Sequence, residues 1–351
     1  MITVDGLDEL LATARQPALP ELRGLLQQVL ASHGSRARLV QEQKLRRSRV
    51  QRLQFEVDGR SHSLIAKRFW PSRGLRERAA LTRWMPAVGL GAHVPKLLGT
   101  AAETTGRLTW HVYEDAGDWT LDRGPFDPDR VRDAIELIAQ IHVRFAGHRL
   151  LGEIRAGGDR GAGFFGACVR DAANALRSLR PPAVDLSAED RALCERLLLR
   201  LDALHVEQRS RTAEMAEFGG VETFLHGDLW LGNVMVMPSN GSGVRSVLMI
   251  DWDHAGVGPI VYDLSTLLVR FKPDRRQWVL DLYRAAARRE AGWELPDADR
   301  LNRLFETCEY ARLANALIWP AIAAADLSPA GAFEELAEIE RWFEKLQPVL
   351  S

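Results

Sequence analysis

Apolar and polar positions follow two regimes along the 351-residue chain. In the first, they alternate with the period of a half-buried strand. Residues 37–41, Val50–Val57 and His62–Phe69 fit this pattern, with Asp58-Gly59 as a two-residue turn between the last two. The stretch Leu75–Met85 predicts a helix stopped near Pro86, and strands follow at Lys96–Ala101 and Leu108–Tyr113. Ahead of these, residues 1–33 predict two short helices split by Pro17 and Pro20.

After Gly117 the period lengthens. Val131, Ile135, Ile138 and His142 recur at helical spacing within Asp127–His148, and Asp127 is placed to cap that helix. Gly166–Leu179 and Ser187–Ala216 continue the helical pattern. A short β island interrupts it at Val234–Met237 and Ser246–Ile250, with a turn over Pro238–Gly243. From Val261 the chain reads as helical to its end, broken around Glu294–Pro296 and Ser328–Pro329. Strands first and helices afterwards predict an α+β protein of two lobes, with the boundary at Glu114–Asp118.

Composition narrows the function. A formal net charge of −1 lacks the basic excess of a general nucleic-acid binder. No apolar run approaches the roughly 20 residues that cross a bilayer. The N-terminal stretch carries acids and does not read as a signal peptide. Cys168, Cys194 and Cys308 are odd in number and far apart, which fits buried, reduced thiols rather than disulfides or a zinc site. These features together predict a soluble cytoplasmic protein.

The chemistry concentrates in Leu225-His226-Gly227-Asp228-Leu229-Trp230-Leu231-Gly232-Asn233 and in Met249-Ile250-Asp251-Trp252-Asp253. Phosphoryl transfer needs a carboxylate to orient a hydroxyl and oxygen ligands that hold magnesium against phosphates. Asn233 precedes one strand of the predicted hairpin and Asp251 ends the other, so the two oxygens meet at one end of it. No Walker A motif occurs, which excludes a P-loop enzyme.

His226-Gly227-Asp228-Leu229, then Asn233, then Ile250-Asp251-Trp252, resembles the aminoglycoside phosphotransferase and choline kinase superfamily. The resemblance implies a protein-kinase-like fold, a small antiparallel β-sheet lobe plus a large, mainly helical lobe. The lobes it implies are 1–113 for nucleotide, with a helical extension over 1–35, a hinge at 114–118, and 119–351 for catalysis and acceptor. Asp228 is then the catalytic base, Asn233 and Asp251 are ligands of Mg²⁺, His226 is structural, and Asp263 in Gly258–Ser265 braces the catalytic loop. Ser63–Lys67 is similar to the family's lysine strand. Lys67 there holds the phosphates of ATP or GTP, and Glu77 is its helix partner, with Glu42 as the fallback. Backbone groups near Glu114 and Ala116 meet the nucleobase. Gln43–Arg49, where a protein kinase has a glycine-rich loop, contains no glycine: it is either a phosphate cover or a solvated basic tip. Asp253 and His254 are left outside the core site.

The implied activity is a small-molecule kinase acting on a hydroxyl of an aminoglycoside, amino sugar or amino alcohol. Glu294–Ser351 carries eleven acidic and five basic residues, net acidic by six, which suits a cationic acceptor unless those acids are simply a solvated face. Two alternatives stand beside it. One is a metal-dependent hydrolase built on His226, Asp228, Asp251 and His254. The other is a non-catalytic nucleotide-binding protein of the same fold.

Overall fold

The computed structural model describes residues 3–6, 19–46, 49–179, 186–239, 245–326 and 331–350. The chain forms two compact units. One comprises Met1–Ala134 with Leu231–Ala255, the other Ile135–Trp230 with Gly256–Ser351.

The first unit is built on a six-stranded sheet. Its strands are β1 (Thr3–Asp5), β2 (Arg36–Arg46), β3 (Val50–Val57), β4 (Arg60–Phe69), β5 (Leu97–Ala102) and β6 (Thr109–Glu114), in spatial order β1-β2-β3-β4-β6-β5. The β1–β2 pair is parallel and all other pairs are antiparallel. Asp58 and Gly59 turn β3 into β4 with positive φ of 47° and 81°, the left-handed pair that matches strand twist. The helix α1 (Leu19–Leu30) lays Leu22, Leu26 and Leu30 on the sheet residues Leu53, Phe55, Trp110 and Val112, all essentially without solvent contact. The hairpin of β8 (Val234–Met237) and β9 (Ser246–Met249) belongs to this unit, and the Val236 N–H donates to the Trp119 carbonyl at 2.9 Å.

Two expectations are corrected here. Thr3–Asp5 is a strand, because its backbone pairs with Arg36–Arg38 far along the chain; positions 7–18, including Pro17, lie outside the described residues. The helix expected over Leu75–Met85 begins at Pro71, whose fixed φ suits the first helical turn. It then widens into a π-helical turn at Ala80–Trp84. Arg47 and Ser48 of the basic loop, the tip of the turn at 240–243, and Ser328-Pro329 also lie outside the described residues.

The second unit is mainly helical. Its elements include Leu151–Gly157, Phe164–Arg177, Ala188–Phe218, Val261–Leu268, Pro273–Ala291, Ala298–Asp326 and Ala332–Glu344. Ser187 caps the long Ala188–Phe218 helix through its hydroxyl, which accepts the Asp190 N–H at 3.1 Å. The core is a layer of Val169, Ala172, Leu176, Leu197, Leu201, Ala314, Leu317, Leu336 and Phe343. Two short strands went unpredicted: β7 (Glu222–Leu225) and β10 (Gly256–Pro259), paired antiparallel. Segment 158–160 adds to the outer edge of β10, since Val257 N–H donates to Gly158 O at 2.8 Å and Arg160 N–H to Val257 O at 2.7 Å. A Cβ on Gly256 would meet the Gly158 carbonyl oxygen at 2.5 Å, so only glycine allows this approach. All three cysteines are free and buried, as expected. No helix among the described residues is long and apolar enough to cross a membrane.

Candidate active site

Two clusters carry the motif residues, one in each unit. In the first unit Lys67 stands on β4, flanked by Val50 of β3 and His111 of β6. Its ammonium forms an ion pair and hydrogen bond with Asp251 Oδ1. Lys67 is largely buried, which by itself pushes its pKa down. The carboxylates of Asp251, Glu77 and Asp253 outweigh that burial and hold the ammonium charged. Phe69 adds a cation–π face 4.3 Å from Nζ.

Glu77 comes from the helix Pro71–Ala79 and is 2% exposed. Burial pushes its carboxyl up to about 7, with Lys67 pulling the other way and Asp251 pushing further up. Tyr113 donates its hydroxyl to Glu77 Oε1 at 3.2 Å, and His111 Nδ1 lies 3.1 Å from that hydroxyl. Lys67 thus contacts Asp251 directly, while Glu77 acts on it through the field. Glu42, the other glutamate considered, sits on β2 opposite Leu53.

Asn233 and Asp251 are brought together by the hairpin. Asn233 closes the turn before β8, and its carbonyl accepts the Ile250 N–H at 3.0 Å. Asp251 follows β9 with φ 69° and ψ 55°, a left-handed conformation uncommon for a residue with a side chain. In the sequence alone Asp253, which follows the Asp251 strand, could equally cap the turn toward Gly256 and stands outside the core site; the structure brings it into this cluster. Its carboxylate lies 3.5 Å from Arg73, and Arg76 Nη1 donates to its carbonyl at 2.9 Å. Burial, then the charge of Asp251, pushes Asp253 up to about 7. Arg73 and Arg76 share a helix with Glu77, a proximity visible only once that helix is placed.

The segment 114–118 is fixed by a residue the sequence reading missed. Arg52, in the middle of β3 and 7% exposed, donates from Nη1 and Nη2 to the two oxygens of Asp118 at 3.0 and 3.1 Å. It also reaches Asp115 Oδ1 at 3.2 Å and the Gly117 carbonyl at 3.2 Å. Ser63 donates to Asp115 Oδ2 at 2.6 Å, and Gly117 N–H to Oδ1 at 2.9 Å. Glu114 is exposed, paired with Lys96 Nζ at 3.2 Å, and its N–H donates to the Lys96 carbonyl at 3.1 Å. Ala116 is half-buried between these anchored neighbours.

In the second unit the loop after β7 carries His226, Gly227 and the half-buried Asp228. Asp263, 1% exposed, accepts the His226 N–H at 2.7 Å and the Gly227 N–H at 2.9 Å, one on each oxygen. His142 Nε2 lies 3.4 Å from Asp263 Oδ2, and its Nδ1 lies 2.8 Å from the Tyr283 hydroxyl. Asp263 therefore braces the loop, as expected, while His142 and Tyr283 extend the brace unforeseen. In the sequence alone, His142 is one more position on the helix face of Val131, Ile135 and Ile138. Gly227 has φ 80°, which explains a glycine between His226 and Asp228. Gly227→Ala is expected to lower stability by about 1–2 kcal/mol, checked by urea unfolding of both proteins. An unchanged midpoint would mean that this loop relaxes freely.

Among the described residues, no group of three or more His, Cys, Asp or Glu side chains is arranged to hold a metal by itself. Asn233 and Asp251 offer oxygen donors beside a lysine, a set that fits a hard cation completed by phosphate oxygens.

A family model described as the phosphotransferase enzyme family matches residues 42–302. No curated protein gives a significant match to the sequence. Several solved structures share the fold. An aminoglycoside-3′-phosphotransferase of type VIII is 19% identical, covering 83% of this chain and 98% of its own, with a TM-score of 0.51. The AMP-bound spectinomycin phosphotransferase APH(9)-Ia is 10% identical, covering 92% and 99%, with a TM-score of 0.55. A Plasmodium vivax ethanolamine kinase is 12% identical, covering 86% and 82%, with a TM-score of 0.53. The kinase-like α+β fold expected from the sequence is thereby shown.

Proposed function

Because the chain belongs to the phosphotransferase enzyme family, we propose that it is a small-molecule kinase that moves the γ-phosphoryl group of ATP or GTP to a hydroxyl. The observation that carries this reading is the Lys67–Asp251 pair with Glu77 and Asn233 around it, built from four separated stretches of chain. A lysine held charged in a buried acidic cluster is matched to polyphosphate, whose oxygens can replace the carboxylate as its partner.

In this proposal residues 1–113 hold the nucleotide, 114–118 serve as the hinge, and 119–351 carry catalysis and acceptor binding. Lys67 takes the α- and β-phosphate oxygens and Glu77 keeps its charge in place. Backbone groups at Glu114 and Ala116 meet the base, on a segment that Arg52 keeps from drifting. Asn233 and Asp251 hold Mg²⁺, which when bound neutralises charge on the phosphates. Asp228 accepts a hydrogen bond from the acceptor hydroxyl, aims its oxygen at phosphorus and receives its proton as the new P–O bond forms.

The acceptor proposed is a small cationic alcohol such as an aminoglycoside, amino sugar or amino alcohol. The acidic balance of Glu294–Ser351 supports it, as does the likeness to proteins described as aminoglycoside, spectinomycin and ethanolamine kinases. A cytoplasmic location is part of the same proposal.

The test is a thermal-shift titration of wild type and Asp251→Ala with ATP and GTP, each with and without Mg²⁺. A ligand that binds only the folded state stabilises it by about 2.7 kcal/mol at a hundred times its Kd. Wild type should respond to nucleotide with Mg²⁺, and Asp251→Ala should lose the metal-dependent part. No response of wild type to either nucleotide would sink the reading.

A further inference from the structure

On the Lys67 face of the sheet, two further polar side chains are buried, His111 and Tyr113 of β6. The β4–β6 register sets His111 opposite Lys67 and Tyr113 opposite Ile65, so the two share one face with the lysine. Glu77 reaches them because Gly74 lets its helix come close: a Cβ on Gly74 would meet Thr109 Cγ2 at 2.4 Å and His111 Nε2 at 3.3 Å. Gly74 and Glu77 are the buried residues of Pro71–Ala79, at the i, i+3 spacing of a single helix face.

The Tyr113 hydroxyl has one proton to give. Burial, then the charge of Glu77, keep that proton on the phenol. Burial, then the charges of Lys67 and Arg78, push His111 down to about 4, so its ring is neutral and carries one N–H. The arrangement that uses each proton once runs from His111 Nδ1–H to the Tyr113 oxygen at 3.1 Å, and from Tyr113 O–H to Glu77 Oε1 at 3.2 Å. The carboxyl is thereby left asymmetric. Oε1 is anchored, while Oε2 is buried without a hydrogen-bond partner. Lys67 lies in the field of this carboxyl while Asp251 is its direct partner. A phenylalanine at 113 would fill the same space, so the buried hydroxyl serves Glu77 and not the packing.

We propose that Tyr113, supported by His111, is a positioning residue for the phosphate-binding lysine: its hydroxyl fixes Glu77 Oε1, which keeps Oε2 for the Lys67 ammonium once polyphosphate displaces Asp251. This deepens the kinase reading above and rests on it. Tyr113 itself touches neither phosphate nor metal in this scheme and acts only through Glu77.

The experiment measures the dissociation constants of Mg²⁺–ATP and Mg²⁺–GTP by titration calorimetry for wild type, Tyr113→Phe, Glu77→Gln and the double variant. Melting temperatures of the free proteins verify that each is folded under the conditions used. For the nucleotide that wild type binds, Tyr113→Phe should weaken binding about tenfold, and Glu77→Gln at least as much. The double variant should bind within about twofold of Glu77→Gln alone, because no charge is left to position. A tyrosine that only fills the core would act independently of Glu77, and the two losses would multiply. Should Tyr113→Phe fail to fold, His111 decides. His111→Leu should weaken binding about threefold, and His111→Asn, whose amide N–H stands in for Nδ1–H, should restore it. Multiplying losses, a Tyr113→Phe that binds like wild type, or equal affinities for His111→Leu and His111→Asn overturn the proposal and leave the kinase reading standing. Failure of wild type to bind either nucleotide overturns both.

Discussion

Asp228→Asn is expected to lower kcat by about 10²–10⁴-fold while leaving the Mg²⁺–nucleotide thermal shift intact. The substitution keeps the shape of the side chain and its capacity to accept a hydrogen bond. It removes the negative charge that draws the acceptor proton toward it as the P–O bond forms. The loop should keep its form, because its backbone is held by Asp263 through the His226 and Gly227 N–H groups rather than by Asp228. Nucleotide should still bind, because Lys67 and Asp251 are untouched. A steady-state assay of phosphoryl transfer, run beside the thermal shift, separates the two effects. A kcat near that of wild type would remove Asp228 from the role of base.

Asp263→Ala is the second large effect, and it acts on the fold before it acts on rate. Asp263 is fully buried, and its carboxylate is the common acceptor for two backbone N–H groups and faces His142. Removing it leaves these donors buried and unpaired, at an expected loss of about 3–5 kcal/mol in unfolding free energy. The pH dependence has a definite sign. Burial alone would push this carboxyl up, but the hydrogen bond and charge of His142, the charge of His226 and the Gly227 N–H win and hold it below the ordinary aspartate range. A folded-state pKa below the unfolded one gives stability that is fully present above the unfolded value. It is lost as pH falls through the carboxylate range toward the folded value. Urea unfolding across that acidic window should show wild type losing this increment while the variant, which never had it, loses less. Parallel pH profiles would mean that Asp263 is not a net source of stability.

How much of this could be read from the sequence depended on the range of the information. Val50–Val57 was legible through its alternation and the adjacent Asp-Gly turn, and Val234–Met237 through its run of apolar, β-branched residues before the turn at Pro238–Gly243. Glu222–Leu225 and Gly256–Pro259 were not, because Gly-Val-Gly-Pro has the composition of a turn. It becomes a strand only because β7 and segment 158–160 lie on either side of it. The site divides the same way. Asp228, Asn233 and Asp251 announce themselves through spacing within a short stretch. Arg52 looks like any polar position of an alternating strand, and its meaning depends on Asp115 and Asp118, more than sixty residues away. His142 and Tyr283 are invisible for the same reason, since a helical period records which face is buried and not which buried atom is polar.

The left-handed backbone at Asp251 restricts which residues the position accepts before any chemistry is asked of it. A carboxylate could in principle be offered there by aspartate or glutamate. Short side chains that bond back to their own backbone tolerate positive φ, whereas longer ones are disfavoured. Glutamate is thus barred by conformation rather than by charge, and asparagine is admitted by conformation while lacking the charge. The residues that this conformation favours at position 251 are glycine, asparagine and aspartate, and only aspartate can neutralise Lys67.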